Sequence, residues 1–301
     1  MQTIRSVDAL RSAVSLLRAG GGGVAFVPTM GALHAGHMAL VAEAKRRAAH
    51  VVASIFVNPT QFGPNEDLDL YPRREQADAE ILEAAGCALL WAPDAATMYP
   101  HGHATNIHVA GIGDDLCGAA RPGHFDGVAT VVAKLFNQVQ PDVALFGEKD
   151  YQQLALIRRM VRDLDLAVTI VGVPTQRDAD GLALSSRNAY LSPEHRIVAR
   201  ALPRLLGESA QAIREGAGIA ATLTAAAKEL GGAGFEAIDY VEFRDAETLA
   251  PLTELDRPAR LLAAARLGGT RLIDNLAVHP SPTKAPPARS GPLKPAIGKR
   301  G

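Results

Sequence analysis

Apolar positions along the chain follow two rhythms that alternate. Val7, Leu10, Val14 and Leu17 recur at helical spacing behind Ser6, a suitable cap, and Gly20 to Gly23 close that helix. Residues 24–27 are a short apolar run that reads as a strand turning at Pro28, and residues 38–45 are good helix formers. Residues 51–57 are nearly all β-branched, aromatic or small, the texture of a strand buried on both faces. After a loop at 58–64, a helix ends near Ala85, and 87–91 reads as a further buried strand. Alternation at 105–110 predicts a half-buried strand. A polar loop at 113–127 carries Arg121, His124 and Asp126. Helix at 127–140, strand at 142–146, helix at 151–163 and strand at 167–173 complete the series. Strands alternating with helices require right-handed crossovers and a mainly parallel sheet.

Past Pro174 the texture changes. Residues 175–188 are polar and glycine-bearing, a linker by composition. Ser192-Pro193-Glu194 starts a helix, helical sequence runs to about Leu230, and 235–243 and 259–267 read as antiparallel strands. The expected fold class is therefore α/β: a mainly parallel sheet domain at 1–175, then a smaller α+β domain at 176–280. From Pro280 to Gly301 there are six Pro and five Lys/Arg but no acid or aromatic residue, so 281–301 is expected to be a disordered tail.

Composition narrows the class. A chain of 301 residues, 48% apolar and 21% charged, can bury two cores. A formal net charge of -1 offers no general basic surface for nucleic acid or membrane. No apolar run approaches the ~20 residues of a membrane span, and the first residues lack a signal-peptide core. Two cysteines in dissimilar contexts fit a reducing compartment, so a cytoplasmic protein is expected.

The candidate chemistry gathers where strands end. Gly31, His34, Gly36 and His37 lie between the strand at 24–27 and the next helix. Free N–H groups at a helix start, glycines that admit close approach and two imidazoles together suit a phosphate. Two histidines three apart also suit a metal, but the third ligand of a zinc site is not offered nearby, and H-x-G-H is not the H-E-x-x-H of zinc proteases. Gln61 follows the next strand, where it is either a substrate contact or a solvated loop amide. Lys149 follows a later strand and can supply a point charge, although most lysines are simply solvated. Gln153 follows it, and Ser185, Ser186 and Arg187 on the linker add hydroxyls and a guanidinium fork. Neither a Walker loop nor GxGxxG after the first long strand is present, so a nucleotide would rest on the histidine-bearing turn.

Four blocks carry a resemblance: PTMGALHAGH, SIFVNPTQFGPNEDLDLYPR, FGEKDYQQ and DGLALSSRNAYLS, in that order, with RLIDN at residues 271–275 beside them. Together they resemble the pantoate–β-alanine ligase family, over nearly all of residues 1–280. H-x-G-H alone indicates only the wider nucleotidyltransferase superfamily. Leu184 is a departure, since the family commonly has Met before the two serines.

The resemblance implies a Rossmann-like first domain that binds nucleotide and pantoate; from the position of residues 185–187 alone, the C-terminal domain is expected to act as a lid. It implies ATP-dependent ligation of pantoate to β-alanine through a pantoyl adenylate, with AMP and pyrophosphate released. His37 matches the family's proton donor, with His34 and Lys149 beside it. Met30, Gly31, Ala32, Leu33, His34, Ala35, Gly36 and His37 match the first ATP segment. Gly147, Glu148, Lys149 and Asp150 match the second, joined by Gln176, Leu184, Ser185, Ser186 and Arg187. Gln61 and Gln153 match pantoate-binding residues, Gln61 also serving β-alanine. Mg2+ is expected on the phosphates without a dedicated protein cage; Glu66, Asp67 and Asp69 could assist from nearby. A homodimer through the first domain is also implied. An adenylyltransferase acting on a phosphate, and a non-catalytic nucleotide-binding protein, are the rival readings.

Overall fold

The computed structural model describes residues 1–64, 66 and 68–280; the expectations for Asp67 and for the tail at 281–301 lie outside the described residues. The chain opens with β1 (Gln2–Ile4), α1 (Val7–Ala19), β2 (Val24–Thr29), α2 (Ala35–Arg47), β3 (His50–Ile55), α3 (Glu75–Ala84), β4 (Leu89–Trp91) and the short α4 (Ala95–Met98). Next come α5 (Cys117–Ala120), α6 (His124–Val139), β5 (Val143–Gly147), α7 (Tyr151–Asp163) and β6 (Thr169–Val173). α8 (Pro193–Ala199), α9 (Ala201–Arg214) and α10 (Ile219–Ala233) lead to β7 (Ala237–Asp245), β8 (Ala259–Leu267) and β9 (Thr270–Val278).

The first six strands form one sheet in the order β1-β4-β3-β2-β5-β6, and every pairing is parallel. Their carboxyl ends therefore open on one edge. The chain lays β3 and β4 on one side of β2, then crosses to lay β5 and β6 on the other. A crevice forms at that edge between β2 and β5, where the winding reverses.

Both faces of the sheet are covered, which explains the unbroken apolar runs. Ala25 and Val27 pack with Val41 and Ala44 of α2 and Leu82 of α3. Val24 and Phe26 point the other way, into a core with Leu10 of α1, Phe136 of α6 and Leu156 of α7. Each large side chain buried there stabilises the fold by about 1.5–3 kcal/mol. The small sheet, β7-β8-β9, is antiparallel. Leu261 and Ala263 of β8 face a second core with Leu205 of α9 and Leu230 of α10. Leu262, on the opposite face, joins the core of the large sheet.

Several local expectations are corrected. Residues 2–4 add an edge strand that was not foreseen. β2 does not turn at Pro28 but runs on to Thr29, with Pro28 in register with Ser54 of β3. Within β2, β5 pairs only with Ala25 and Phe26, so Pro28 lies where one side of β2 has no ladder to maintain. Residues 105–110 form no strand: Ile107 and Val109 do pack on the core, but the Ile107 N–H goes to Thr130 Oγ1 because no strand lies alongside. α6 begins at His124, three residues early, so His124 and Asp126 are helical rather than loop. Ser6 stands at the start of α1 but makes no capping hydrogen bond. Residues 270–278 add a third antiparallel strand.

Candidate active site

Four segments that follow strands of the large sheet meet at its carboxyl edge and enclose a cavity of about 240 Å³. They are the turn after β2, a 3-10 turn at Pro59–Gln61 after β3, another at Glu148–Asp150 after β5, and the linker after β6. Met30, His34, Gly36, His37, Gln61, Gly147, Lys149, Asp150 and Gln153 line it, with Gln176, Leu184, Ser185, Ser186 and Arg187 from the linker. Gly31, Ala32, Leu33, Ala35 and Glu148 are not in the lining. The N–H of Gly31 donates to Thr29 Oγ1, and those of Ala32 and Leu33 donate to the buried Asp78 carboxylate at 2.7 and 2.9 Å. Glu148 turns away to Arg260 of β8, at 2.7 Å.

His34 and His37 are built into the start of α2. His34 is its N-cap, and its Nδ1 accepts from the Gly36 N–H at 3.1 Å. His37 stands three residues on, and its Nδ1 accepts from the His34 N–H at 3.3 Å. With both Nδ1 atoms acting as acceptors, each neutral ring carries its proton on Nε2, free to donate. The rings sit 4.2 Å apart. A Cβ at position 36 would come within 2.8 Å of the His34 ring, so glycine lets that ring lie where it does without shifting. Burial, then the neighbouring His34, pushes the His37 pKa down to about 3. Burial and Lys149 likewise lower that of His34. At neutral pH both are uncharged donors.

Gln61 is fixed from several sides. Asn58 Nδ2 donates to Gln61 Oε1 and to the Gly127 carbonyl, both at 3.1 Å. Tyr99 OH donates to Asn58 Oδ1 at 2.8 Å, and the Thr60 N–H and hydroxyl donate to the same oxygen at 3.3 and 2.9 Å, which together set which way the Asn58 amide faces. The Gln61 carbonyl accepts from His124 Nδ1 at 2.8 Å and from Arg121 at 3.3 Å. Arg121 also pairs with Glu66, with Nε 2.6 Å from Oε1. Burial opposes the Glu66 charge, but the hydrogen-bonded Arg121 prevails and holds that carboxyl at about 2. Burial, with Arg121 alongside, pushes His124 down to about 4. A Cβ on Gly127 would lie 2.4 Å from the Thr60 carbonyl oxygen, so α6 packs directly on this turn.

The corner after β5 is looser. Lys149 Nζ is 3.5 Å from Asp150 Oδ1. Burial opposes the charge of Asp150, yet Lys149 and Arg187 keep its carboxyl below its ordinary value. Gln153 joins from the first turn of α7. On the linker, Leu184 N–H donates to the Gln176 carbonyl at 2.9 Å, and Ser185 Oγ caps the 3-10 turn Ser186–Tyr190 by accepting from Arg187 N–H. Among the described residues no three His, Cys, Asp or Glu side chains cluster so as to hold a metal.

A model of the pantoate–β-alanine ligase family matches residues 2–277. The chain belongs to that family. A pantothenate synthetase of Rhizorhabdus wittichii is 67% identical over 282 residues, covering 94% of this chain and all of that protein. One of Sphingopyxis alaskensis is 63% identical, covering 92% and all of the relative. Among solved structures, pantoate–β-alanine ligase from Thermus thermophilus superposes with a TM-score of 0.88 at 50% identity, over 93% of this chain and all of that one. The Francisella tularensis ligase, solved with "Beta-gamma ATP and Beta-alanine", superposes with a TM-score of 0.77 at 34% identity, over 92% and 97% of the two chains.

Three supporting residues of this family member, Asn58, Asp78 and Asn275, were not singled out by sequence pattern. Asn58 carried a signal, since Asn before Pro favours a turn whose side chain accepts a main-chain N–H. Asp78 shares a helical face with Leu82, and an acid on an apolar stripe invites the question of its partner. Asn275 gave no local signal.

Proposed function

We propose that this chain joins pantoate to β-alanine in two steps driven by ATP. In the first, a pantoate carboxylate oxygen attacks the α-phosphorus, the bond to the bridging oxygen breaks, and pyrophosphate leaves pantoyl adenylate behind. In the second, the deprotonated β-alanine amine attacks the acyl carbon, the bond to AMP breaks, and the amine gives up a proton to form the amide. The observation that carries this reading is one cavity lined both by anion donors and by the two amides. His34, His37, Lys149, Ser185, Ser186 and Arg187 supply the donors; Gln61 and Gln153 are the amides.

The roles follow from charge. The first step concentrates negative charge on phosphate oxygens, where preorganised donors contribute most. His34 and His37 act through Nε2–H as neutral donors, and Lys149 and Arg187 contribute full charges. With its Oε1 held by Asn58 and one amide hydrogen on Met30 Sδ, Gln61 offers its other amide hydrogen to a carboxylate. In the second step the same Gln61 stands beside the incoming β-alanine. Mg2+ would be held mainly by the phosphates and water; Asp150, ionised and at the cavity wall, is the carboxylate that could assist it. When bound, the cation neutralises charge on the phosphates. Residues 1–175 form the binding unit and 176–280 a lid, because Gln176 and residues 184–187 approach the cavity from the linker. Closure keeps water from the adenylate. The expected setting is the cytoplasm, as a homodimer through the first unit; among the described residues no helix is long and apolar enough to cross a membrane.

The test is exchange of labelled pyrophosphate into ATP. Exchange should require pantoate and magnesium but not β-alanine. Exchange that appears only with β-alanine would replace the adenylate with a concerted route. No pantoate-driven exchange, with AMP moved to a phosphate acceptor instead, would favour an adenylyltransferase.

A further inference from the structure

The block RLIDN, residues 271–275, has no part in the chemistry argued so far. It forms the first half of β9, and its polar members reach out of the small sheet. Arg271 donates from both terminal nitrogens to Cys117 Sγ, at 3.3 and 3.4 Å. Asp274 accepts two hydrogen bonds from Arg177 on the linker, at 2.6 and 2.9 Å. Asn275 goes to the turn that bears Lys149. Its Nδ2 donates to the main-chain carbonyls of Glu148 and of Lys149, both at 2.9 Å. Turning the amide over would set its oxygen against those two carbonyls, so its orientation is settled.

Asn275 is only 4% exposed, and its Oδ1 has no hydrogen-bond partner among the described residues. A buried acceptor without a donor is costly, so what the side chain contributes here comes from its nitrogen. That nitrogen ties down carbonyls of a three-residue turn between β5 and α7, where regular backbone pairing is sparse. β8 grips the same turn: Arg260 pairs with Glu148 at 2.7 Å and its guanidinium lies 3.7 Å from the Tyr151 ring centre. Lysine ends a flexible four-carbon stem, so the place of its ammonium depends on how firmly its main chain is held.

We propose that Asn275 is a positioning residue for Lys149: from the small sheet it fixes the 148–150 main chain and so sets where the Lys149 ammonium meets the nucleotide phosphates. This rests on the phosphate role proposed for Lys149. The consequence is that the small sheet takes part in nucleotide binding without touching the nucleotide.

Calorimetric binding of ATP to four proteins tests it: the unaltered chain, Asn275→Asp, Lys149→Ala and the double variant, each checked for folding by thermal unfolding. Asn275→Asp keeps the shape but places an acceptor against two acceptors. Each single change should weaken ATP binding about tenfold, and the double variant should bind within about twofold of Lys149→Ala. Pantoate affinity of Asn275→Asp should stay within about twofold of the unaltered chain, because Gln61 is held by other groups and Gln153 lies on α7, whose own hydrogen bonds hold it. If Asn275→Asp does not fold, Asn275→Ser, which removes the donors without adding charge, takes its place. Losses that add in the double variant, or an equal loss of pantoate affinity, overturn the inference while leaving Lys149 its role. Normal ATP binding by Lys149→Ala would instead remove that role, and the inference with it.

Discussion

The two ends of the cavity are held in different ways. Around Gln61, Asn58, Tyr99, Arg121, His124 and Glu66 form a closed set of hydrogen bonds within the first 175 residues. Around Lys149 the turn is gripped mainly from the small sheet, through Asn275 and Arg260, and Ser185 to Arg187 come from the linker. The first end is held without the small sheet, which suits the small acid proposed to bind there. The second is complete only when two sheets are docked, which suits a triphosphate that must enter and leave as pyrophosphate and AMP. His34 and His37 sit between them, on the start of α2.

The largest effect should come from that midpoint. His37→Ala removes one preorganised Nε2–H donor and should lower the rate of pyrophosphate exchange by about 3 kcal/mol, roughly a hundredfold or more. The fold should survive, since α2 keeps its His34 cap. Exchange at close to the normal rate would take His37 out of the mechanism.

A similar size of effect, read as stability, should separate the two ends by pH. His124 takes up a proton near 6.5 when unfolded but only at about 4 when folded. The unfolded state therefore binds more protons in that window, and stability is full above pH 6.5 and falls as pH drops to 4, by about 3 kcal/mol from this group. His37, held down to about 3, extends the fall to lower pH. Bound nucleotide phosphates should raise the His37 pKa and shrink its share, while leaving that of His124, which belongs to the Gln61 end. Denaturant unfolding across pH, with and without ATP, measures both. A flat profile between 6.5 and 4 would contradict the buried, neutral state described for these rings.

The smallest change should come from Tyr99→Phe. It removes one of three donors to Asn58 Oδ1, the others being the Thr60 N–H and hydroxyl, at a cost of about 1 kcal/mol. We expect a several-fold rise in KM for pantoate and little change for ATP. Equal changes for both substrates would show that the two ends are not independent.

Much of this was legible in the order of residues. A parallel sheet follows from apolar runs alternating with amphipathic helices, because crossovers have one practical hand and ligands then collect at the strand ends. His34, His37, Gln61, Lys149 and Ser185 to Arg187 could be picked out because each stands just after a strand or on the linker, where side chains are free to face a ligand. Residues 105–110 mark where that reasoning stopped. Alternation there is genuine and its apolar members are buried, but a strand exists only if another lies alongside. Pro28 misled in the other direction, since a proline ends a strand only where its neighbours need the missing N–H.

By itself the sequence determined most of the periodic elements and which segments carry the candidate chemistry. All of these depend on residues within a few positions of one another. Only the tertiary structure decided the supports: Asp78 under the turn after β2, 45 residues from Leu33, and Asn275 under Lys149, 126 residues away. Their partners are main-chain N–H and C=O groups, which every residue possesses, so no residue type at either end marks the pairing. Which main-chain group a buried amide or carboxylate meets is settled when two sheets dock, and that geometry is not written in local spacing.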